Sequence, residues 1–463
     1  MRILLISNGF PPRHWAGTET YTAGIAKELS RRGHEVHVLC VGDWESGPTH
    51  YNGYEDEEYQ GVPVRRLNLN WKRAPDPFRY LYDNPHVARI LKSHLKILQP
   101  DLVHVTSCET MSASVLRVTK EAQLPLVLSI TDFWFLCPRI SLLRSDGELC
   151  NGLTSAWECL RCQLRDSKAY RWPSQVLPEA GVSRLLTNVS RHPRLTRLRG
   201  LRGLAGDMAA RKAFLRQALS WPDCRITASE YVRHIFETNG IKEEIRVQPY
   251  GHDLSWLAQY AGKSYSEVSR FGFIGQISER KGVHLLLKAG QLLRVRYGGR
   301  FSLSIYGNLE KDPAYAASLR ALAAGSADVK FCGTYPHEEM AAVFANLDVL
   351  IVPSLWHDFP LVIHEAFASR TPVIATNLGG MAEVVEHEVN GLLFERADAQ
   401  DLANKMSRFL DASDLPAKLA TGIGAVKSIE EGVSELESAY GELTSPYGHS
   451  AKRHLDIPAQ FPY

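Results

Sequence analysis

Long hydrophobic runs are what this sequence most plainly lacks: nothing in its 463 residues approaches the ~18 consecutive apolar residues of a membrane-spanning helix. The apolar opening, residues 1–6, is too short for a secretory leader and breaks at Asn8-Gly9-Phe10-Pro11-Pro12, so it reads as a first strand. An excess of one charge is missing too. Lys and Arg number 53 against 51 Asp and Glu, a formal net charge of +2, which gives the chain no electrostatic reason to seek nucleic acid. Cysteine is sparse, at eight residues, and without a leader the chain is expected in the reducing cytoplasm, where disulfides are disfavoured. No Gly-x-Gly-x-x-Gly follows the first strand, which argues against a dinucleotide site. What remains, 44% apolar and 22% charged, is an ordinary globular composition, long enough for two or three domains.

The densest pattern present lies between residues 347 and 394. Residues 347–353 are a short apolar, β-branched run, the mark of a buried parallel strand. After a turn, Pro360 stands where a helix begins, its fixed φ suited to a first turn, and Leu361 and Glu365 share one face of a helix over 360–369. A second strand, 372–376, runs into Asn377-Leu378-Gly379-Gly380, with another helix from near Met381. Two helix starts at the carboxyl ends of neighbouring strands offer unpaired N–H groups to an anion. The residues alone therefore read as a phosphate cradle beside one carboxylate, Glu365.

In order, Pro353-Ser-x-Trp-x-Asp358-Phe359-Pro360-Leu361-Val-x-x-Glu365-Ala, Pro372-Val-Ile-Ala, Gly379-Gly380 and Asn390-Gly391-Leu-Leu-Phe closely resemble the signature of retaining nucleotide-sugar glycosyltransferases of family 4. The resemblance implies an α/β chain of the GT-B fold: two facing Rossmann-like domains, a deep cleft, and a last helix crossing back to the first domain. The expected division is 1–252 for the acceptor side, 253–428 for the donor side, and 429–463 for the crossover helix and a loose tail. The acceptor side would include a cysteine insert at 137–165 and a basic segment at 184–216.

Along the first half, strands are expected at 2–7, 35–41, 101–105, 126–130, 225–228 and 245–248. Helices are expected from a Thr18 cap to Gly33, over 110–122, and over 230–238 with Ser229 as cap. In the second half, strands at 270–274, 301–306 and 329–332 alternate with helices at 283–296, 398–410 and 430–443.

By resemblance, Ala16-Gly17-Thr18-Glu19 matches the glycine loop that reaches the donor diphosphate, although Gly17 also reads as a plain helix start. Pro249-Tyr250-Gly251-His252-Asp253 resembles the interdomain turn. Family members commonly carry His-Asp-x-Trp-x-Leu-Cys-Pro-Arg near the reacting sugar. This chain has Thr131 for that histidine and keeps Asp132, a candidate catalytic group whose alternative is capping the next turn. His104-Val105-Thr106 lacks the second histidine of a His-x-His pair. Threonine cannot shuttle protons at neutral pH. Of the two cations that meet the diphosphate, Lys281 is present and Gln276 replaces the arginine, without its charge or planar fork. Arg280, one residue before Lys281, is the candidate to compensate, although its spacing would aim it elsewhere.

Four cysteines, Cys137-x12-Cys150-x8-Cys159-x2-Cys162, contain one knuckle-like pair. They allow a tetrahedral structural zinc or free thiols in a cysteine-rich loop. Between Arg184 and Arg216 nine Lys and Arg face a single acid, Asp207, with leucines interleaved. Such a segment suits an anionic membrane surface, a lipid-linked diphosphate, or simply a solvated face.

The resemblance thus implies transfer of a sugar from a nucleotide-diphosphate donor to a saccharide, lipid-linked glycan or small metabolite, with retention. Glu365 would take the ribose hydroxyls. Asp358, one residue closer than the usual glutamate pair, would face the sugar or cap the helix. Lys281 and the N–H groups around Phe359, Leu361, Gly379 and Gly380 would neutralise the leaving diphosphate, Pro360 having none to offer. No Asp-x-Asp stands where a metal-dependent transferase would need it, so no catalytic cofactor is expected. The alternative is a nucleotide-sugar-binding protein that has lost turnover. An epimerase would want acid–base residues about the sugar, and a pyridoxal-phosphate phosphorylase a longer chain.

Overall fold

The computed structural model describes residues 1–165, 208–263, 268–356 and 360–445, together with 176, 178, 181, 182, 185 and 188. The first sheet holds β1 (Arg2–Ile6), β2 (Glu35–Asp43), β3 (Tyr51–Tyr59), β4 (Val62–Leu69), β5 (Leu102–Val105), β6 (Leu126–Ser129), β7 (Cys224–Thr227) and β8 (Arg246–Val247). Its order is β3-β4-β2-β1-β5-β6-β7-β8, parallel except for the β3–β4 hairpin. The second sheet holds β9 (Ser269–Ile274), β10 (Phe301–Tyr306), β11 (Val329–Gly333), β12 (Val349–Val352), β13 (Val373–Thr376) and β14 (Gly391–Phe394). It is parallel throughout, in the order β11-β10-β9-β12-β13-β14. Helices cover both faces, so β1, β5, β6, β12 and β13 are almost wholly buried, which is why they read as unbroken apolar runs. Strand order reverses between β1 and β5 and again between β9 and β12. Those two switch points are where such sheets open a crevice.

The sequence gives no sign of the β3–β4 hairpin or of the helices Pro77–Tyr82 and Pro85–Leu98. β3 is too acidic to read as a strand. It pairs at the sheet edge by placing Asp56 and Glu57 against Arg65 and Arg66. Charge on an edge strand also discourages pairing with another chain. Arg66 is wholly buried, and its guanidinium donates to the Phe10 and Pro11 carbonyls at 2.8 and 2.6 Å, fixing the loop after β1.

Two other expectations need correction. The first helix spans Gly17–Arg31 behind Ala16, with no side-chain cap, so Thr18 lies inside it. The expected helix at 110–122 begins only at Ser114, because Thr110 and Ser112 sit at φ 60° and 64°. That left-handed backbone cannot continue a right-handed helix.

The two sheets join at a double crossing. His252 N–H donates to the Lys427 carbonyl at 3.0 Å, and Ile429 N–H returns to the His252 carbonyl at 2.8 Å. A Cβ on Gly251 would lie 2.4 Å from the Ser428 carbonyl oxygen, so only glycine fits there. The last described helix, Ile429–Thr444, opens with a Ser428–Glu431 capping box and crosses back to the first domain, as expected. Glu437 takes Arg32 at 2.6 Å and His34 at 2.8 Å, while the buried Tyr440 hydroxyl is bonded to His104 Nδ1 at 2.6 Å.

Candidate active site at the facing strand ends

On the second-domain side, β12 runs into Pro353 and the helix Leu361–Ala368 starts behind Pro360. Asp358 and Phe359, expected at the sugar and the diphosphate, lie outside the described residues. Glu365 sits on the helix one turn beyond Leu361. Its carboxyl takes no hydrogen bond from a described residue, and burial pushes it up to about 7. Tyr335, in the loop after β11, is close enough for the Glu365 charge to raise its phenol further above the usual range. Beside them, the helix Gly379–Val384 follows β13, with Gly379 at φ 53°.

Lys281 ends the turn Glu279–Lys281 after β9. The next residue, Gly282, has φ 73°, and a Cβ there would stand 1.9 Å from the Pro353 carbonyl oxygen, so the Lys281 turn packs directly on the end of β12. Arg280 does not point elsewhere. Its guanidinium lies 5.3 Å from the centre of the Trp356 ring and the Lys281 ammonium 5.8 Å from it, both within cation–π range. Leu355 N–H bonds the Arg280 carbonyl at 2.8 Å, tying this turn to the end of β12. Around this cradle the Ser278 and Thr376 hydroxyls and the Trp356 indole nitrogen are buried without hydrogen-bond partners. Buried polar atoms are normally paired, so these three are exceptions at the carboxyl-end loops of β9, β12 and β13.

On the first-domain side, Asn8 Nδ2 donates to Glu19 Oε1 at 3.0 Å, while Glu19 Oε2 is buried with no partner. Gly17 is exposed, and a Cβ there would meet nothing within 4 Å, so packing gives no reason for glycine. Asp132 does cap the next turn, its Oδ1 accepting Trp134 N–H at 2.7 Å. Its carboxyl is also pushed up to about 6, by burial first and then by the Glu19 charge. Thr131 and Thr106, which stand where family histidines would be, are bonded to each other, hydroxyl to carbonyl, at 3.3 Å. His104 is a core residue: Tyr440 and Ser129 hold its two nitrogens at 2.6 and 2.8 Å, and burial drops it to about 3. It has no route to a substrate.

Glu109, in the loop after β5, escaped sequence reading. Burial pushes it up to about 7, the Asp132 and Glu19 charges raise it further, and Arg280 across the cleft opposes them. Nothing in Cys108-Glu109-Thr110 advertises this, since its position follows from the left-handed Thr110 and from Thr110 Oγ1 donating to the Asn8 carbonyl at 3.1 Å.

The four insert cysteines line one cavity of about 180 Å³ and form no disulfide. Gly152 N–H reaches Cys150 Sγ at 3.4 Å, and Thr154 Oγ1 lies 3.1 Å from Cys159 Sγ. Among the described residues, no three His, Cys, Asp or Glu side chains are grouped to hold a metal ion. Of the nine basic residues at 184–216, six lie outside the described residues. The other three bond backbone carbonyls, Arg211 from a buried position and Lys212 and Arg216 at the surface. Arg211 donates to the Trp134 carbonyl and is pushed down to about 10 by burial, while Lys212 and Arg216 bond the Thr154 and Gly240 carbonyls. Among the described residues, no helix is long and apolar enough to cross a membrane.

Residues 16–251 match the family model described as glycosyl transferase 4-like domain, and residues 268–412 the one described as glycosyl transferases group 1. An uncharacterized glycosyltransferase of Methanocaldococcus jannaschii is 23% identical over 423 residues, 89% of each chain. A D-inositol 3-phosphate glycosyltransferase of Corynebacterium urealyticum is 32% identical over 193 residues, 40% of this chain and 45% of that protein. Among solved structures, sucrose-phosphate synthase from Thermosynechococcus elongatus superposes with a TM-score of 0.64 at 18% identity, covering 96% of this chain and 99% of the other. HepE of Anabaena in complex with UDP gives 0.62 at 17%, covering 96% and 100%. At such identities the likeness is one of fold, and the fold is GT-B.

Proposed function

This chain belongs to the glycosyl transferase 4-like family, and from that premise we propose that it moves a sugar from a nucleotide-diphosphate donor to an acceptor hydroxyl with retention of anomeric configuration. The observation that carries the reading is the placement of Glu365: a desolvated carboxyl with no hydrogen bond from a described residue, on the helix after β12 and near Tyr335. A ribose presents two hydroxyls, and a carboxylate accepts both. Structures of HepE hold UDP and UDP-glucose, which supports a uridine donor as the first to try.

In this reading the diphosphate lies against Lys281 and the N–H groups of the Gly379-Gly380 turn. A full positive charge and fixed dipoles in a desolvated site stabilise the leaving group as its charge develops. Arg280, held at the same indole, supplies the second cation that Gln276 cannot. With Thr131 and Thr106 in place of imidazoles, neither position offers a base for the acceptor proton. A donor phosphate oxygen receives it in a front-face displacement, and the sugar leaves one oxygen for another on the same face.

The test is donor hydrolysis across UDP-, GDP-, ADP- and TDP-sugars in EDTA, for the wild type and Glu365→Ala. Release of one nucleotide by the wild type, reduced about a hundredfold or more in the variant, is expected for loss of a buried charge-assisted contact. Turnover that needs a divalent ion, or that survives in Glu365→Ala, would overturn the proposal.

A further inference from the structure

The first-domain wall of the cleft carries three carboxyl groups on three different elements. Glu19 is on the first helix, Glu109 follows β5 and Asp132 follows β6. Asn8 ties two of them together, donating to Glu19 Oε1 through its side chain and accepting from Thr110 Oγ1 at its carbonyl. The Thr131–Thr106 bond brings the third alongside. Glu19 is only 6% exposed, and its Oε2 is buried and unpartnered. Among the described residues these carboxyls are not grouped to hold one metal ion.

Among the described residues, the neighbouring thiol, phenol and imidazole bring no positive charge. Cys108 and Tyr250, beside Asp132, stay uncharged because burial pushes thiol and phenol up, and burial keeps the His14 imidazole, beside Glu19, neutral. Arg66, nearby, is committed to Glu57 and two backbone carbonyls. The cation that opposes Glu109 is Arg280, from the other domain. A wall of carboxyl oxygens offers acceptors and asks its ligand for donors. Hydroxyl groups supply donors but leave buried negative charge uncompensated, whereas an ammonium supplies three donors and the missing charge. A phosphate here would be repelled.

We propose that Glu19, Glu109 and Asp132 form the acceptor subsite and select an acceptor that presents hydroxyl groups together with a protonated amine, as an amino sugar does. This rests on the glycosyltransferase reading of the same cleft.

The test is calorimetry on the full chain saturated with UDP, titrated with methyl glucosaminide, methyl glucoside and glucose 6-phosphate. The aminoglycoside should bind about tenfold or more tighter than the neutral glycoside, with the phosphate weakest. Glu19→Gln and Glu109→Gln, which keep the side-chain shape and so should melt no lower than the wild type, should each shrink that preference severalfold. Equal affinity for the two methyl glycosides, a preference that survives in both variants, or no binding of any probe to the UDP-loaded protein would overturn the proposal. Failure of the wild type to bind UDP shows before any probe is added. It would refute the donor reading and this inference with it.

Discussion

Glu365, the carboxyl on which the proposed function rests, also carries a stability cost. An ordinary glutamate ionises near 4.5, and this one is pushed up to about 7. Between those values the folded chain holds a proton that the unfolded chain has released, so stability falls as pH rises through that window. The full cost is on the order of 3 kcal/mol once both states are ionised. Urea unfolding of Glu365→Gln and wild type should therefore give nearly equal stabilities at about pH 4.5, with the variant gaining steadily up to about pH 7.5. A gap that does not change with pH would contradict this placement. Sequence reading found this residue because it lies at a fixed distance from Pro360 on one helix. It did not find Glu109, whose charged neighbours come from separate elements of the chain.

At the scale of elements, the two domains meet through a carboxylate that caps a helix in the other domain. Glu383, on the helix after Gly379, accepts from Ser229 Oγ at 2.5 Å, Glu230 N–H at 2.8 Å and Tyr231 N–H at 3.1 Å, all at the start of the helix Glu230–Thr238. Glu383→Ala leaves those N–H groups to water and removes about 1 kcal/mol of capping. The cleft should then open more readily, seen as a larger radius of gyration in small-angle scattering without ligand that contracts when UDP is added. Identical scattering from variant and wild type would show that Glu383 does not hold the domains. Elements were legible where periodicity was strong. The Ser229 cap and its helix follow from the sequence, as do the buried strands of both sheets. The hairpin of β3 and β4 was not, since its stability comes from cross-strand pairs such as Asp56–Arg65, which no local pattern announces.

At the scale of the molecule, the chain crosses between domains twice within a few ångströms, at 251–252 and 427–429, and a final helix anchors the second crossing to the first domain. That arrangement lets two rigid sheets face each other about one narrow joint. It sets Lys281, Arg280 and Glu365 on one wall of the cleft and Glu19, Glu109 and Asp132 on the other. The architecture was visible in the sequence through the long C-terminal motif and the Pro249–Asp253 turn. The acidic character of the first wall was not, because it arises only once β1, β5 and β6 are adjacent. The central claim is that the second wall seats a nucleoside diphosphate without a metal. Calorimetric titration of UDP in EDTA into wild type, Glu365→Ala and Lys281→Ala tests it most directly. Saturable wild-type binding, weakened about tenfold or more in each variant, is the predicted result. Wild-type binding that both variants retain in full, or no binding until a divalent ion is added, would contradict the account.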